Sequence, residues 1–198
     1  DSSTYASTYG ALYNWYSVDN SAGLCPAGWH VSTDCDWMYL EDTLGMSTSD
    51  QENIGYRGTI EGGMLKDTIL WNSPNTGATN NSGFTGLPGG YRNSGGNYGN
   101  VGSLGYWWAS NENVTNDAWY RYLLYFGSNV ARYGIAKDFG HSVRCIKYDT
   151  SSIQTSLKEQ KTFIDINIYP NPFSSSTTIE LPSEPHTLAI YDIVGNKV

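Results

Sequence analysis

Apolar and polar positions alternate over short distances along this chain and never settle into a long run, which predicts short elements joined by turns. Tyr9 to Val18 (YGALYNWYSV) is aromatic and β-prone and reads as a first strand. Cys25 to Val31 follows as a Pro- and Gly-punctuated approach. Thr33 is placed to cap a helix, with Asp36 three residues on as a short version of the capping box. Trp37, Leu40, Glu41 and Leu44 then recur at helical spacing until Gly45 stops the helix. Residues 46–63 hold at most one further short helix, around Ser49 to Ile54.

From Trp71 to Gly105 the chain is rich in Gly, Asn, Ser and Thr, a composition that gives turns and irregular loops, pinned by isolated Trp71, Phe84, Leu87, Tyr91 and Tyr98. Tyr106 to Ser110, Ala118 to Phe126, Asn129 to Tyr133 and Ser142 to Tyr148 read as successive short strands. The predicted order is therefore strand, helix, loops, then an antiparallel sheet. Asp149 to Thr162 is polar and carries no aromatic residue, the composition of a linker. Beyond it Ile164, Ile166 and Ile168 alternate with polar residues, Tyr169-Pro170-Asn171-Pro172 makes a rigid turn, and Thr177 to Leu181 and Thr187 to Ile193 supply two more strands. Three short strands bury little apolar surface, so this segment is incomplete or leans on something else. The boundaries that follow are a first domain over 1–148, a flexible linker over 149–163 and a small β segment over 164–198.

A chain of 198 residues fits one ordinary domain with an appendage. Its hydrophobic fraction of 39% is modest, but 16 Tyr and 7 Trp supply large contact area per residue, and 22 Gly imply many tight turns. The formal net charge is −8 and the 11 Lys and Arg are scattered singly, without the basic stripe that neutralises a phosphate backbone, which sets nucleic acid aside as a partner. No apolar run approaches the roughly 20 residues that cross a bilayer, so no transmembrane segment is expected. Three cysteines in a Tyr-, Asn- and Gly-rich chain suit an oxidising compartment, with one thiol left over. Cys25, Cys35 and Cys145 lack the paired spacing of a zinc site, and no Cys-x-x-Cys is present. Two cysteine-bearing segments, GLCPAGWH from Gly23 and SVRC from Ser142, bracket the polar loop body, and a long-range disulfide is the candidate that would close it.

The stretches YGALYNWYSV, GLCPAGWHVSTDCDW, LWNSPNTGATNNSGFTGLPGGYRNSGG, GYWWAS, AWYR and SVRC make residues 9–148 resemble the Fibrobacter succinogenes major paralogous domain of Bacteroidetes surface and secreted proteins. The resemblance implies an α+β fold similar to C-type lectin-like domains and to relatives of the formylglycine-generating enzyme. In such a fold, short helices and long irregular loops are bracketed by a small antiparallel sheet. It also implies a disulfide between Cys25 and Cys145, which leaves Cys35 as a packed free thiol.

The tail from Ile164 resembles the type A C-terminal sorting domain read by the type IX secretion system. The resemblance lies in Ile168-Tyr169-Pro170-Asn171-Pro172-Phe173, in Thr177, Ile179 and Leu181, and in Ile190-Tyr191-Asp192-Ile193-Val194-Gly195. Such domains continue for several strands beyond the Tyr-Asp-Ile segment, so the resemblance implies a partial all-β sorting domain here. Its partners would be the type IX translocon and its outer-membrane shuttle barrel, met through Tyr169, Pro170, Asn171, Pro172, Phe173, Tyr191, Asp192 and Gly195. The implied destination is the cell surface or the medium, by way of the periplasm and outer membrane.

Catalysis is weakly supported by these residues. Formylglycine generation uses a pair of active-site cysteines with copper, and a structural bridge takes two of the three thiols. His30 sits in a Trp-His motif and reads as a hydrogen-bonded structural residue, and His141 precedes the last strand without a triad that spacing could define. The calcium-dependent sugar site of C-type lectins needs a carboxylate-Pro-Asn run and a later Trp-Asn-Asp strand. Ser73-Pro74-Asn75 lacks the carboxylate, and Asn116-Asp117-Ala118-Trp119 has the letters in the wrong order. No cofactor is therefore expected, and calcium stays open as a ligand that this motif does not encode.

Rings and amides can instead stack on sugars or protein patches. The candidates are the exposed members of Tyr91, Arg92, Tyr98, Trp108, Trp119, Arg121, Tyr125 and Arg132. The leading expectation is a non-enzymatic recognition module for a glycan or protein ligand. The alternative is a passive structural or cargo protein whose only specific contact is the translocon, and an enzyme comes third.

Overall fold

The computed structural model describes residues 3–148 together with 167–169 and 178–180. The chain divides into two units, Asp1–Tyr148 and Asp149–Val198. The first unit is a mixed α+β fold of short helices around an open antiparallel sheet.

It begins with α1 (Ser3–Tyr9) and, after Gly10 at φ +79°, α2 (Trp15–Val18). The strand predicted over Tyr9 to Val18 is thus absent. Asn14 is extended at φ −73° and ψ 159°, its carboxamide accepts from the Ser17 amide, and that cap turns the aromatic run into a helical turn. Only Tyr13 keeps β character, in a single bridge to His141. The turn buries Trp15, whose indole donates to the Ala109 carbonyl at 2.9 Å.

β1 (Trp29–Val31) leads into α3 (Asp34–Thr43), where the predicted cap is present. Thr33 Oγ1 accepts from the Asp36 amide at 3.0 Å and Asp36 Oδ2 accepts from the Thr33 amide at 2.8 Å, which satisfies two otherwise orphaned donors. Residues 34, 37 and 41 of α3 are buried. Cys35, expected to be packed, is free and exposed, because it lies off that stripe. α4 (Thr48–Glu52) follows on a Ser47 cap, close to the second helix expected there.

β2 (Gly55–Arg57) and α5 (Glu61–Leu65) have no local signal. α5 carries two glycines, and it forms because it packs on loop backbone. A Cβ on Gly62 would collide with the Asn129 carbonyl, and one on Gly63 with that of Gly77. The loop region is pinned as its aromatics predict. Trp71 donates to the Gly86 carbonyl at 2.9 Å, and Phe84 meets Trp107 edge-on at 5.4 Å. A two-residue hairpin, β3 (Tyr91–Arg92) with β4 (Tyr98–Gly99), closes it.

The main sheet has the order β2-β7-β6-β5, with β5 (Leu104–Val114), β6 (Asp117–Leu124) and β7 (Val130–Ala136). Its last predicted neighbour, β8 (Cys145–Lys147), is not in this sheet. It pairs with β1, setting Val31 opposite Cys145, after Ser142 has bridged Trp107 in parallel. The disulfide Cys25–Cys145 fastens this pair across a separation of 120 residues. In the chain-entropy picture a bridge of that span contributes about 5 kcal/mol.

Strand alternation gives the sheet two faces. Trp107, Arg121, Leu123 and Val130 lie in or beside one core with Trp37, Met46 and Leu65, while Trp108, Ala118 and Tyr120 form a second with Trp15 and Val18. In the second unit β9 (Asn167–Tyr169) pairs antiparallel with β10 (Thr178–Glu180). The linker over 149–163, the strand expected over 187–193 and the sorting-signal residues Pro170, Asn171, Pro172, Phe173, Tyr191, Asp192 and Gly195 lie outside the described residues.

Candidate functional site

The charged interior decides which predicted contacts are available. Asp34 and Glu41 stand two helical turns apart on α3, so both carboxylates point at the sheet. Arg121 Nη1 reaches Asp34 Oδ1 at 2.6 Å and its Nε reaches Glu41 Oε1 at 2.9 Å. Arg57 grips Glu41 with Nη2 at 2.6 Å and Nη1 at 2.9 Å. Arg132 grips Asp34 with Nη2 at 2.6 Å and Nε at 3.1 Å, its guanidinium lying 3.6 Å from the centre of the Trp119 ring. Burial would raise the Asp34 carboxyl, but the hydrogen bonds and charges of Arg132 and Arg121 hold it below its ordinary value. Arg121 and Arg132 were candidates for ligand contact, and both are buried counter-ions instead. Trp108 is likewise corrected: it is fully buried, with its indole donating to the Tyr13 carbonyl at 2.8 Å.

The opposite face of the sheet is tyrosine-rich. Tyr122 stacks on Tyr133 at 6.0 Å and on Tyr120 at 5.9 Å, and Tyr106 approaches Tyr122 at 5.5 Å. Tyr56 caps this row edge-on at 5.9 Å from Tyr122 and is exposed. Burial pushes the phenols of Tyr106, Tyr120 and Tyr122 upward, so all three are neutral donors in ordinary conditions. His141 is enclosed by Tyr106, Trp108 and Tyr120 with ring centres at 5.0, 4.4 and 5.0 Å, and burial pushes its imidazole down to about 3. An imidazole held neutral inside aromatic walls is a packing element.

Of the remaining candidates, Tyr91 is half-buried against Tyr106 at 5.5 Å and Phe139 at 6.0 Å. Trp119 is half-buried under Arg132, and Tyr125 is half-buried beside Phe126 at 5.0 Å. Arg92 and Tyr98 are exposed on the β3–β4 hairpin. Tyr98 opens onto a cleft of about 520 Å³ whose other wall is α1, through Tyr5 and Tyr9, with Gly10, Gly89 and Asn100 between them. The Tyr5 and Tyr9 rings stack at 6.2 Å, as residues four apart on a helix can. Neither tyrosine was singled out from the sequence, although their spacing marks one helical face.

A second depression of about 510 Å³ lies beside His30 and Tyr148. His30 Nε2 sits 3.0 Å from Asp36 Oδ2 and its ring is 4.7 Å from that of Tyr148. Asp36 is already committed to the helix cap. Burial would raise its carboxyl, but the Thr33 hydroxyl and amide, with His30, hold it below the usual value. Among the described residues no group of three His, Cys, Asp or Glu side chains is placed to hold a metal ion, and no helix is long and apolar enough to cross a membrane.

Residues 1–147 match the family model of the Fibrobacter succinogenes major domain, and residues 167–198 match that of the secretion system C-terminal sorting domain. No curated protein and no solved structure matches the chain.

Proposed function

The chain belongs to the Fibrobacter succinogenes major domain family, and from that premise we propose that it is a recognition module that acts by binding and not by catalysis. Its sorting domain makes it a type IX secretion substrate that crosses the periplasm and outer membrane to the cell surface or the medium. The disulfide Cys25–Cys145 suits that route, since it forms and persists in an oxidising compartment.

The observation that carries the recognition reading is the cleft where Tyr98 faces Tyr5 and Tyr9. It offers exposed rings, while Arg57, Arg121 and Arg132 are spent on internal ion pairs and His141 on packing. A C-type lectin-like arrangement is the finer form of this fold. It is supported by the cysteine bridge from the first segment to the last strand and by a long loop region laid over an antiparallel sheet. The translocon would read the segment from Tyr169 to Phe173 and that from Tyr191 to Gly195.

The test is a glycan array probed with the purified chain, in parallel with cross-linking on the surface of the producing cell. A saccharide or protein ligand supports the reading. The absence of any ligand in both assays would leave the passive cargo role.

A further inference from the structure

We propose that the cleft between α1 and the β4 loop is a subsite for a neutral sugar ring, an inference that rests on the recognition reading above and gives it a ligand class. The first argument is charge. The chain carries a net −8, yet among the described residues no Asp, Glu, Lys, Arg or His lines the cleft. An ionic ligand would lose its hydration there with no counter-charge in return, so the occupant is uncharged.

The second argument is the shape of the wall. Tyr5 and Tyr9 present two rings inclined by 22°, and Tyr98 adds a third from across the cleft. Tyr5 and Tyr98 are each 54% exposed, so both rings are open to a ligand. Each ring has an apolar face and a hydroxyl rim. A pyranose matches both, with a patch of axial C–H groups and a rim of equatorial hydroxyls.

The cleft is close-packed at Gly89 and carries a polar side chain at Asn100. A Cβ on Gly89 would stand 3.3 Å from that of Tyr9, so the tyrosine lies directly over the glycine backbone. Asn100 is anchored by donating from Nδ2 to the Tyr106 hydroxyl at 3.0 Å, which leaves its Oδ1 as an acceptor for a sugar hydroxyl. The cleft volume of about 520 Å³ fits the range of small-ligand sites, about 300–1,000 Å³.

A peptide is the weaker occupant. Strand addition needs a free edge of useful length, and β4 has two residues.

The experiment is calorimetric titration of the full chain with cellohexaose, xylohexaose, mannohexaose and maltohexaose, with hexagalacturonate as the acidic control. At least one neutral hexasaccharide should bind and the acidic one should not. Tyr98→Ala and Tyr5→Ala should each weaken binding about tenfold or more. Tyr39→Ala, at a 77% exposed position on α3 outside the cleft, should retain it. Binding that survives both Tyr98→Ala and Tyr5→Ala overturns the cleft assignment and leaves the recognition reading standing. So does a ligand found only among proteins or acidic glycans. If no ligand of any class is found, both fall.

Discussion

Asp34 and Arg132 lie 98 residues apart in sequence and meet through two hydrogen bonds, at 2.6 and 3.1 Å, inside the protein. The pair fixes α3 against β7, and through Arg121 and Glu41 the same cluster reaches β6 and β2. Removing one member leaves an unpaired buried charge, so Asp34→Ala and Glu41→Ala should each cost about 3–5 kcal/mol. Urea denaturation reads this directly. A loss within the scatter of surface substitutions would mean that the cluster is solvated and carries no such role.

Lys66 makes a different demand. Its ammonium donates to the carbonyls of Thr76, Leu124 and Gly127 at 2.8, 2.8 and 3.0 Å, and burial pulls its pKa down to about 8, so the charge persists at neutral pH. Lys66→Met keeps the aliphatic stem and abandons three acceptors. The expected destabilisation is about 3 kcal/mol or more, measured as a shift of the urea midpoint at unchanged slope.

Acid should act in two windows, one opening well before the other. His141 is neutral in the fold down to about pH 3 and has an ordinary pKa of 6.5, so between those values the unfolded chain holds a proton that the folded one refuses. Stability therefore rises with pH across that window and is lost on acidification, at up to roughly 1.4 kcal/mol per pH unit. Asp34 and Asp36, both depressed, add a loss that begins only as pH falls through their ordinary 3.8. Melting curves of His141→Gln should lose the first slope and keep the second. An unchanged profile above pH 4 would show that His141 titrates freely.

A non-reducing digest should return Cys25 linked to Cys145, with Cys35 alkylated in the native protein because it is exposed. Replacing both bridged cysteines by serine should cost about 2–5 kcal/mol. A Cys25 to Cys35 peptide would contradict the described fold.

Deleting residues 164–198 should leave the first unit folded and trap it in the periplasm, since that deletion removes the sorting domain. Cell fractionation with circular dichroism of the retained protein decides it. Efficient export of the deletion would refute the assignment of the tail.

Local signals were legible in the sequence and long-range ones were not. α3 could be read because the Thr33 cap and the Trp37 to Glu41 spacing lie within one helix, and β5, β6 and β7 because their alternation is local too. The Tyr9 to Val18 strand failed because aromatic β-propensity lost to the Asn14 cap and the burial of Trp15. β2 and α5 exist only through partners, Arg132 to Val130 for the first and the Asn129 carbonyl for the second. Arg121 and Arg132 were placed among surface candidates because arginine is mostly exposed, and nothing in their neighbourhood announces carboxylates 87 and 98 residues away. Tyr98 was named from composition, but the wall opposite it belongs to α1, which the pattern did not anticipate.

The Cys25–Cys145 bridge has a mechanical meaning if the chain is pulled from beyond Tyr148. A pull applied beyond Tyr148 arrives first at β8, whose three residues alone would unzip from β1 one pair at a time. The covalent link diverts the load at Cys145 into Cys25, so the 120-residue separation between them lies outside the line of tension. Traction can then strip residues after Cys145 without unravelling the loops and the sheet that lie between the two cysteines.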